Sequence, residues 1–330
     1  MDNLLREKTE MMIANYNMLK SAFPWENTLV KHFGAIVNAN YGKEVDIRRI
    51  EEIKHYIKEN TSFASYFRGT NTFVLANLLS LQEDYISPFK NLLTVYELMK
   101  KYGFRSSVYL PLAAYAITQE VEMADWDFRL RRMEAFYKNM KSNHFWLTSP
   151  DDYVFAAVLA TTDLEVDATS KRIENCYSIL NSLGFYKGND LQTLSHVLAL
   201  GESEDEAKCR KARELFVKLK DRKCKFYNNG LAVLGVLVLI NQDVDKIVSD
   251  VVETYERIKS CKGYGMWSID TSMRSILAAT LVSDCYVKTM DPDVLQAAVG
   301  NSINSIIIAQ QQAMIAAACA AMVAAQSSGN

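Results

Sequence analysis

An aromatic side chain returns about every forty residues along this chain, at Tyr16, Tyr56, Tyr96, Tyr137, Tyr177, Phe216 and Tyr255. The spacings are 40, 40, 41, 40, 39 and 39. A fixed period of this size marks a helical-repeat array in which each repeat is one pair of helices. Apolar residues accompany the anchor at fixed offsets. Four positions before it stand Met12, Leu92, Met133, Ile173, Ala212 and Val251, and three after it stand Leu19, Met99, Met140, Leu180, Leu219 and Ile258. Offsets of −4, 0 and +3 share one helix face, so each first helix offers an apolar stripe. The second copy is the poor one, with Glu52 and Glu59 in those two places.

Seven residues past the anchor stand Gly103 and Gly184, followed by Phe104 and Phe185. Glycine takes the left-handed conformation that ends a helix, and the next apolar side chain folds back on the last turn. His144-Phe145 is expected to do the same job, and Lys262-Gly263-Tyr264 does it one residue later. Ser149-Pro150-Asp151-Asp152 then opens a second helix with a capping hydroxyl, a proline at the first helical position and two acids facing the dipole. Asn189-Asp190, Asn228-Asn229 and Ser268-Ile269-Asp270 open later ones. The stretch after each start is nearly all apolar, as in Val154 to Ala160, Leu231 to Ile240 and Ile276 to Val282. A helix apolar all round is buried all round.

These features predict an all-α fold. It is an α-solenoid or, with strong curvature, an α/α toroid of about seven helical hairpins with a period near 40 residues. Residues 1–293 read as one continuous array, because no Ser/Gly-rich linker interrupts them. Residues 294–330 carry no charged side chain. They predict an Ala/Ile/Gln-rich helical segment that packs on or in the array. Ala309, Ala313, Ala317, Ala321 and Ala325 form a ladder at every fourth position. Pairing with a second copy of the chain is an alternative cover for this segment. Residues 306–325 are long enough to span a membrane, but Gln310, Gln311 and Gln312 argue against it.

Balanced charge, 37 basic against 39 acidic side chains, argues against a nucleic-acid binder, which needs a cationic surplus. The six cysteines form no CxxC pair, and the first residues are charged at once, which fits a reduced, cytoplasmic protein. No phosphate-binding loop, dinucleotide fingerprint, zinc-helix motif or nucleophile elbow is present in the sequence, so no cofactor, metal or catalytic residue is assigned.

The candidate ligand-facing residues are Trp146, Asp151, Asp152, His196, Trp267, Asp270 and Arg274. Each has a plainer reading. Asp151 and Asp152 resemble a paired-carboxylate site, yet acids in a first turn are ordinary dipole partners. His196 suits a general base or a satisfied core histidine. Trp146 with His144 marks a recognition loop or simple turn packing. Asp270 and Arg274, four apart, make either a helix ion pair or an anion site. Lys20, Lys100, Lys141, Lys220 and Lys259 all stand four past the anchor, and Lys218 to Lys225 holds five basic residues. They read as dipole compensation or as a basic edge for an acidic or phosphorylated partner.

Tyr109-Leu110-Pro111-Leu112-Ala113-Ala114, Asp151 to Ala157, Leu194 to Gly201, Gly265 to Asp270 and the Ala/Ile/Gln/Ser ending resemble the bacterial family catalogued as domain of unknown function 4003. That resemblance implies a bacterial cytosolic setting and a tail that belongs to the domain, and lends no activity. Two functions of different class remain open. The first is a binding scaffold whose curved inner surface holds a protein or peptide. The second is an α/α-toroid enzyme acting on a small molecule, sugar or isoprenoid, which requires Asp152, His196 and Asp270 to share one pocket.

Overall fold

The computed structural model describes residues 2–227, 230–240, 242–265 and 268–289. Among them are fourteen α-helices, two short 3-10 turns and no strand. The odd-numbered helices are α1 (Asn3–Ala22), α3 (Ile47–Glu59), α5 (Ile86–Lys101), α7 (Trp126–Asn143), α9 (Val166–Ser182), α11 (Asp205–Asp221) and α13 (Val244–Lys259). The even-numbered ones are α2 (Thr28–Asn40), α4 (Thr70–Leu79), α6 (Leu110–Glu120), α8 (Tyr153–Thr161), α10 (Asn189–Leu198), α12 (Gly230–Leu239) and α14 (Thr271–Thr289).

Each of the seven aromatic anchors lies on its own odd helix. The stripe is buried as the offsets require: Met12, Leu19, Met99, Met133, Leu180, Leu219, Val251 and Ile258 are all under 5% exposed. Each odd helix packs on the even helix that follows it. The even helices are buried almost end to end, and α12 is buried at every residue. Even helices also touch one another, α2 with α4, α6 with α8, α10 with α12 and α12 with α14. The first and last of the described helices meet as well. Helix α1 packs on α13 and α14, and α14 packs on α2.

Three local expectations need correction. In α3 the buried residues are Ile50, Ile53 and Ile57. Ile50 and Ile57 therefore take the −4 and +3 places, and Lys54 rather than Tyr56 takes the anchor place. Its ammonium sits 4.6 Å from the Phe23 ring centre, 5.2 Å from that of Phe73, and 2.5 Å from Glu26. A cation with an acid at hand and two ring faces below it replaces the usual aromatic. His144 does not end α7 as Gly103 and Gly184 end theirs. Those glycines have φ of 87° and 92°, whereas His144 stays at −131° and Phe145 points into solvent. Lys223, with φ of 66°, is the unforeseen left-handed stop, and Cys224 folds back behind it with its N–H on the Leu219 carbonyl at 2.9 Å. Finally, Pro150–Asp152 forms a 3-10 turn ahead of α8 rather than its first α-helical turn.

A recurring clamp holds the ends of the even helices. A basic residue eight or five positions before the anchor donates to carbonyls just past the even helix. Arg129 reaches Thr162 at 2.7 Å, Arg132 reaches Thr162 at 3.0 Å, Lys211 reaches Ile240 at 2.8 Å and Lys208 reaches Gly201 at 2.8 Å. Arg172 donates to Gly201 in the same way. Helix C-termini leave carbonyls without partners, and a cation there answers both the hydrogen bond and the dipole. The uncharged stretch 294–330, with its expected packing, pairing or membrane roles, lies outside the described residues.

Candidate interaction face

Asp151 and Asp152 stand in the turn between α7 and α8. The Ser149 N–H donates to Asp152 Oδ2 at 3.0 Å, closing a capping box. Asp152 is 6% exposed, and burial, with the Asp151 charge behind it, pushes its carboxyl up to about 8. Asp151 accepts from the Ser149 hydroxyl and, at 3.4 Å, from Asn189 at the head of α10. Both acids therefore serve the helix start. Trp146 stands at the tip of the same loop, 93% exposed, edge-on to Phe145.

His196 lies on α10 and is buried. One turn before it, Gln192 donates to Thr148 Oγ1 at 3.3 Å. That bond ties the loop of Trp146, Asp151 and Asp152 to the α10 face that carries His196, so four of the predicted residues share one neighbourhood. Neither ring nitrogen of His196 has a hydrogen-bond partner, and burial holds its pKa down to about 3. His144 pairs with Glu174 at 3.0 Å and leans on the Tyr177 ring.

Asp270 and Arg274 belong to a different place. Asp270 Oδ1 accepts from the Met273 N–H at 2.7 Å and so caps α14. Arg274 donates to the Tyr264 and Ile269 carbonyls at 3.0 and 2.8 Å. The expected ion pair between these two is replaced by a bracket that ties the α13–α14 loop to its own helix. Trp267 lies outside the described residues. No contact among the described residues joins Asp270 or Arg274 to Asp152 or His196, and no group of three His, Cys, Asp or Glu there is placed to hold a metal ion.

Of the more distinctive surface, the sequence singled out only Trp146 and its loop. It is the end of the molecule where odd helices turn into even ones. Trp25, Phe63, Trp146 and Tyr186 stand there at 97%, 94%, 93% and 93% exposure. Tyr66, Phe145 and Tyr227 are exposed beside them. Hydrogen bonds run from a loop to the first turn of a neighbouring even helix. Asn71 donates to the Val108 carbonyl at 2.7 Å, the Arg105 N–H to Tyr153 OH at 3.2 Å, and the Tyr227 N–H to Ser272 Oγ at 2.8 Å. The rings project from loops at that one end. A signal for them did exist: each comes after a helix stop and falls outside the −4, 0, +3 stripe, so the core has no use for it.

A protein helical throughout its described secondary structure, with Asp152 and Asp270 at helix starts and aromatics displayed on loops, falls in the class of all-α proteins. The chain belongs to the family described as protein of unknown function (DUF4003), whose model matches residues 15–312. It is similar to the uncharacterized protein YeaA of Bacillus subtilis (strain 168), at 26% identity over 322 residues, covering 95% of this chain and 94% of that one. No solved structure matches it. Among the described residues, no helix is long and apolar enough to cross a membrane.

Proposed function

We propose that the chain is a non-catalytic docking scaffold, built as seven hairpins closed into an α/α toroid, that works through its aromatic loop end. Closure is supported by the packing of α1 on α13 and α14. It is supported too by the Arg257–Glu10 pair at 2.6 and 2.7 Å and by the Tyr264 hydroxyl on the Met12 carbonyl at 3.3 Å. The inner surface expected to hold a peptide is a poor docking surface, because the even helices are buried on nearly every side. Seven helices about 10 Å apart on a ring leave a hole roughly one helix wide. The uncharged stretch 294–330 is our candidate cover for the sides that face it.

The observation that carries the docking role is the set of almost fully exposed rings at one end. Aromatic side chains are enriched in interfaces relative to the rest of a protein surface, and four nearly fully exposed ones share this end on four separate loops. A photo-crosslinking amino acid placed at position 25 or 146, and separately at 123 on the opposite end, tests it in cells. The same adduct from 25 and 146, with none from 123, is the expected result. Equal adducts from all three, or none from any, end the proposal.

A further inference from the structure

We propose that the partner of this loop end is an anionic lipid surface, met by the aromatic tips with a skirt of lysines behind them; this rests on the docking role just argued. The tips stand apart on separate loops rather than in one patch. Trp25 comes from the α1–α2 loop, Phe63 from α3–α4, Trp146 from α7–α8 and Tyr186 from α9–α10. Neighbouring hairpins sit about 10 Å apart, so these rings spread over tens of ångströms. A protein partner needs a matched hollow for each ring. A lipid interface needs none, because it yields around each side chain, and Trp and Tyr prefer the headgroup level where an apolar body and a polar edge are both satisfied.

Charge points the same way. Lys20, Lys141, Lys187, Lys223, Lys225 and Lys262 are exposed at this end, from the last turns of odd helices or the loops after them. None has an ion-pair partner among the described residues. On the same end Glu26 is paired with Lys54, Glu97 with Lys100 and Glu256 with Lys259, and Asp270 is held at its helix cap, while Asp221 stands exposed among the lysines. At the opposite end Asp84, Glu122 and Glu202 are exposed and have no ion-pair partner among the described residues. A chain of net charge −2 thus carries a cationic end and an anionic end. Only the aromatic end is attracted to a surface of acidic headgroups, and the other is turned away. Each lysine near such a surface strengthens binding about fivefold, and the effect fades with salt.

The test uses the full chain and floated vesicles of phosphatidylcholine alone or with phosphatidylglycerol. We expect binding only to the phosphatidylglycerol vesicles, weakened by salt and accompanied by a blue shift of tryptophan emission. Lys223→Glu with Lys225→Glu should lower partitioning about tenfold or more. Trp25→Ser with Trp146→Ser should remove most of the blue shift. Met123→Ser with Phe128→Ser, at the anionic end, should change neither. Unaltered helical circular dichroism shows that these exposed variants still fold. Equal binding to both vesicles, binding to neither, or an equal loss in the Met123/Phe128 variant overturns the proposal. If vesicles fail while position 146 still crosslinks a protein in cells, the lipid inference falls and the docking scaffold stands. If both fail, both fall.

Discussion

Lys8 of α1 donates to the carboxylate of Asp284 on α14, across 276 positions of sequence, with both side chains about 5% exposed. Lys288 adds a second ammonium 3.3 Å from the same carboxylate, and both lysines reach the Asn40 carbonyl at the end of α2. One acid therefore holds the first hairpin to the last described one. Removing one partner of a buried pair strands the other without water, at about 3–5 kcal/mol. Asp284→Ala should lose about that much, and more than Lys8→Met, because it strands the buried Lys8 and also takes the partner from the half-exposed Lys288, whereas Lys8→Met leaves the Lys288 pair intact. The double variant Lys8→Met with Asp284→Leu should recover much of the loss. Urea unfolding measures all three; additive losses in the double variant would mean the two residues do not hold the seam together.

A second contact at the same seam is steric. Gly263 has φ of 95°, and a Cβ there would lie 2.5 Å from Cε1 of Tyr16. Tyr16 cannot retreat freely, since its ring stacks on His32 at 3.9 Å and 4°. Gly103 has a similar φ of 87° but open space around it. Gly103→Ala should cost about 1–2 kcal/mol for the left-handed backbone alone. Gly263→Ala carries the same strain plus the clash, so its urea midpoint should fall further. Equal shifts for the two would show that the seam opens without cost.

The seven helix pairs were legible because burial repeats: Tyr16, Tyr96, Tyr177 and Tyr255 are buried at like places on α1, α5, α9 and α13. Periodicity fails where one residue type substitutes for another by a different interaction. Lys54 stands in for an aromatic by lying over Phe23 and Phe73, and a search for rings finds Tyr56 instead. Lys223 stands in for a glycine without any local signal of its left-handed backbone. The pairing of Lys8 with Asp284 depends on the sum of small rotations from pair to pair, which no single repeat encodes. At the candidate site, the neighbourhood of Trp146, Asp151, Asp152 and His196 arises from adjacent loops. Asp270 and Arg274 stand three hairpins beyond Asp152 and two beyond His196, so resemblance between helix starts did not make them neighbours.

Asp152 gives a test by pH. Its carboxyl is raised from 3.8 to about 8 by burial, while the Ser149 N–H pulls the other way. A raised acid means the folded state holds the proton more tightly than the unfolded chain. Its stabilisation is complete below about pH 4 and drains away as pH rises toward 8. Asp152→Asn keeps an acceptor for Ser149 and has no charge to bury. The variant should match the wild type at pH 4 and exceed it at pH 8, by on the order of a few kcal/mol. Denaturant midpoints at the two pH values measure this. A variant no more stable at pH 8 would show that the carboxylate is ionised and well solvated in the fold.

His32 and His196 work in the opposite direction. Burial lowers both to about 3, and all four ring nitrogens lack partners in the protein. Here the folded state refuses a proton that the unfolded chain accepts. The stabilisation is complete above about pH 6.5 and is lost as pH falls toward 3, with each unit worth about 1.4 kcal/mol while it lasts. His32→Phe keeps a ring between Tyr16 and Tyr264, which lie 3.9 and 4.6 Å from the imidazole. His196→Leu places an apolar side chain beside Phe155. Neither replacement breaks a hydrogen bond, so each should be neutral or stabilising at pH 8, since an unpaired buried polar group is itself a cost. Each should also move the acid unfolding midpoint to lower pH, and the two together further still. The same pair separates scaffold from enzyme. A histidine that serves as a base must be reachable by a proton, and its pH titration, tracked by proton NMR, would then fall near neutrality in the folded protein. A C2 proton resonance that stays fixed from pH 8 to 5, then collapses with the fold, is the outcome expected of a core residue with no chemistry to perform.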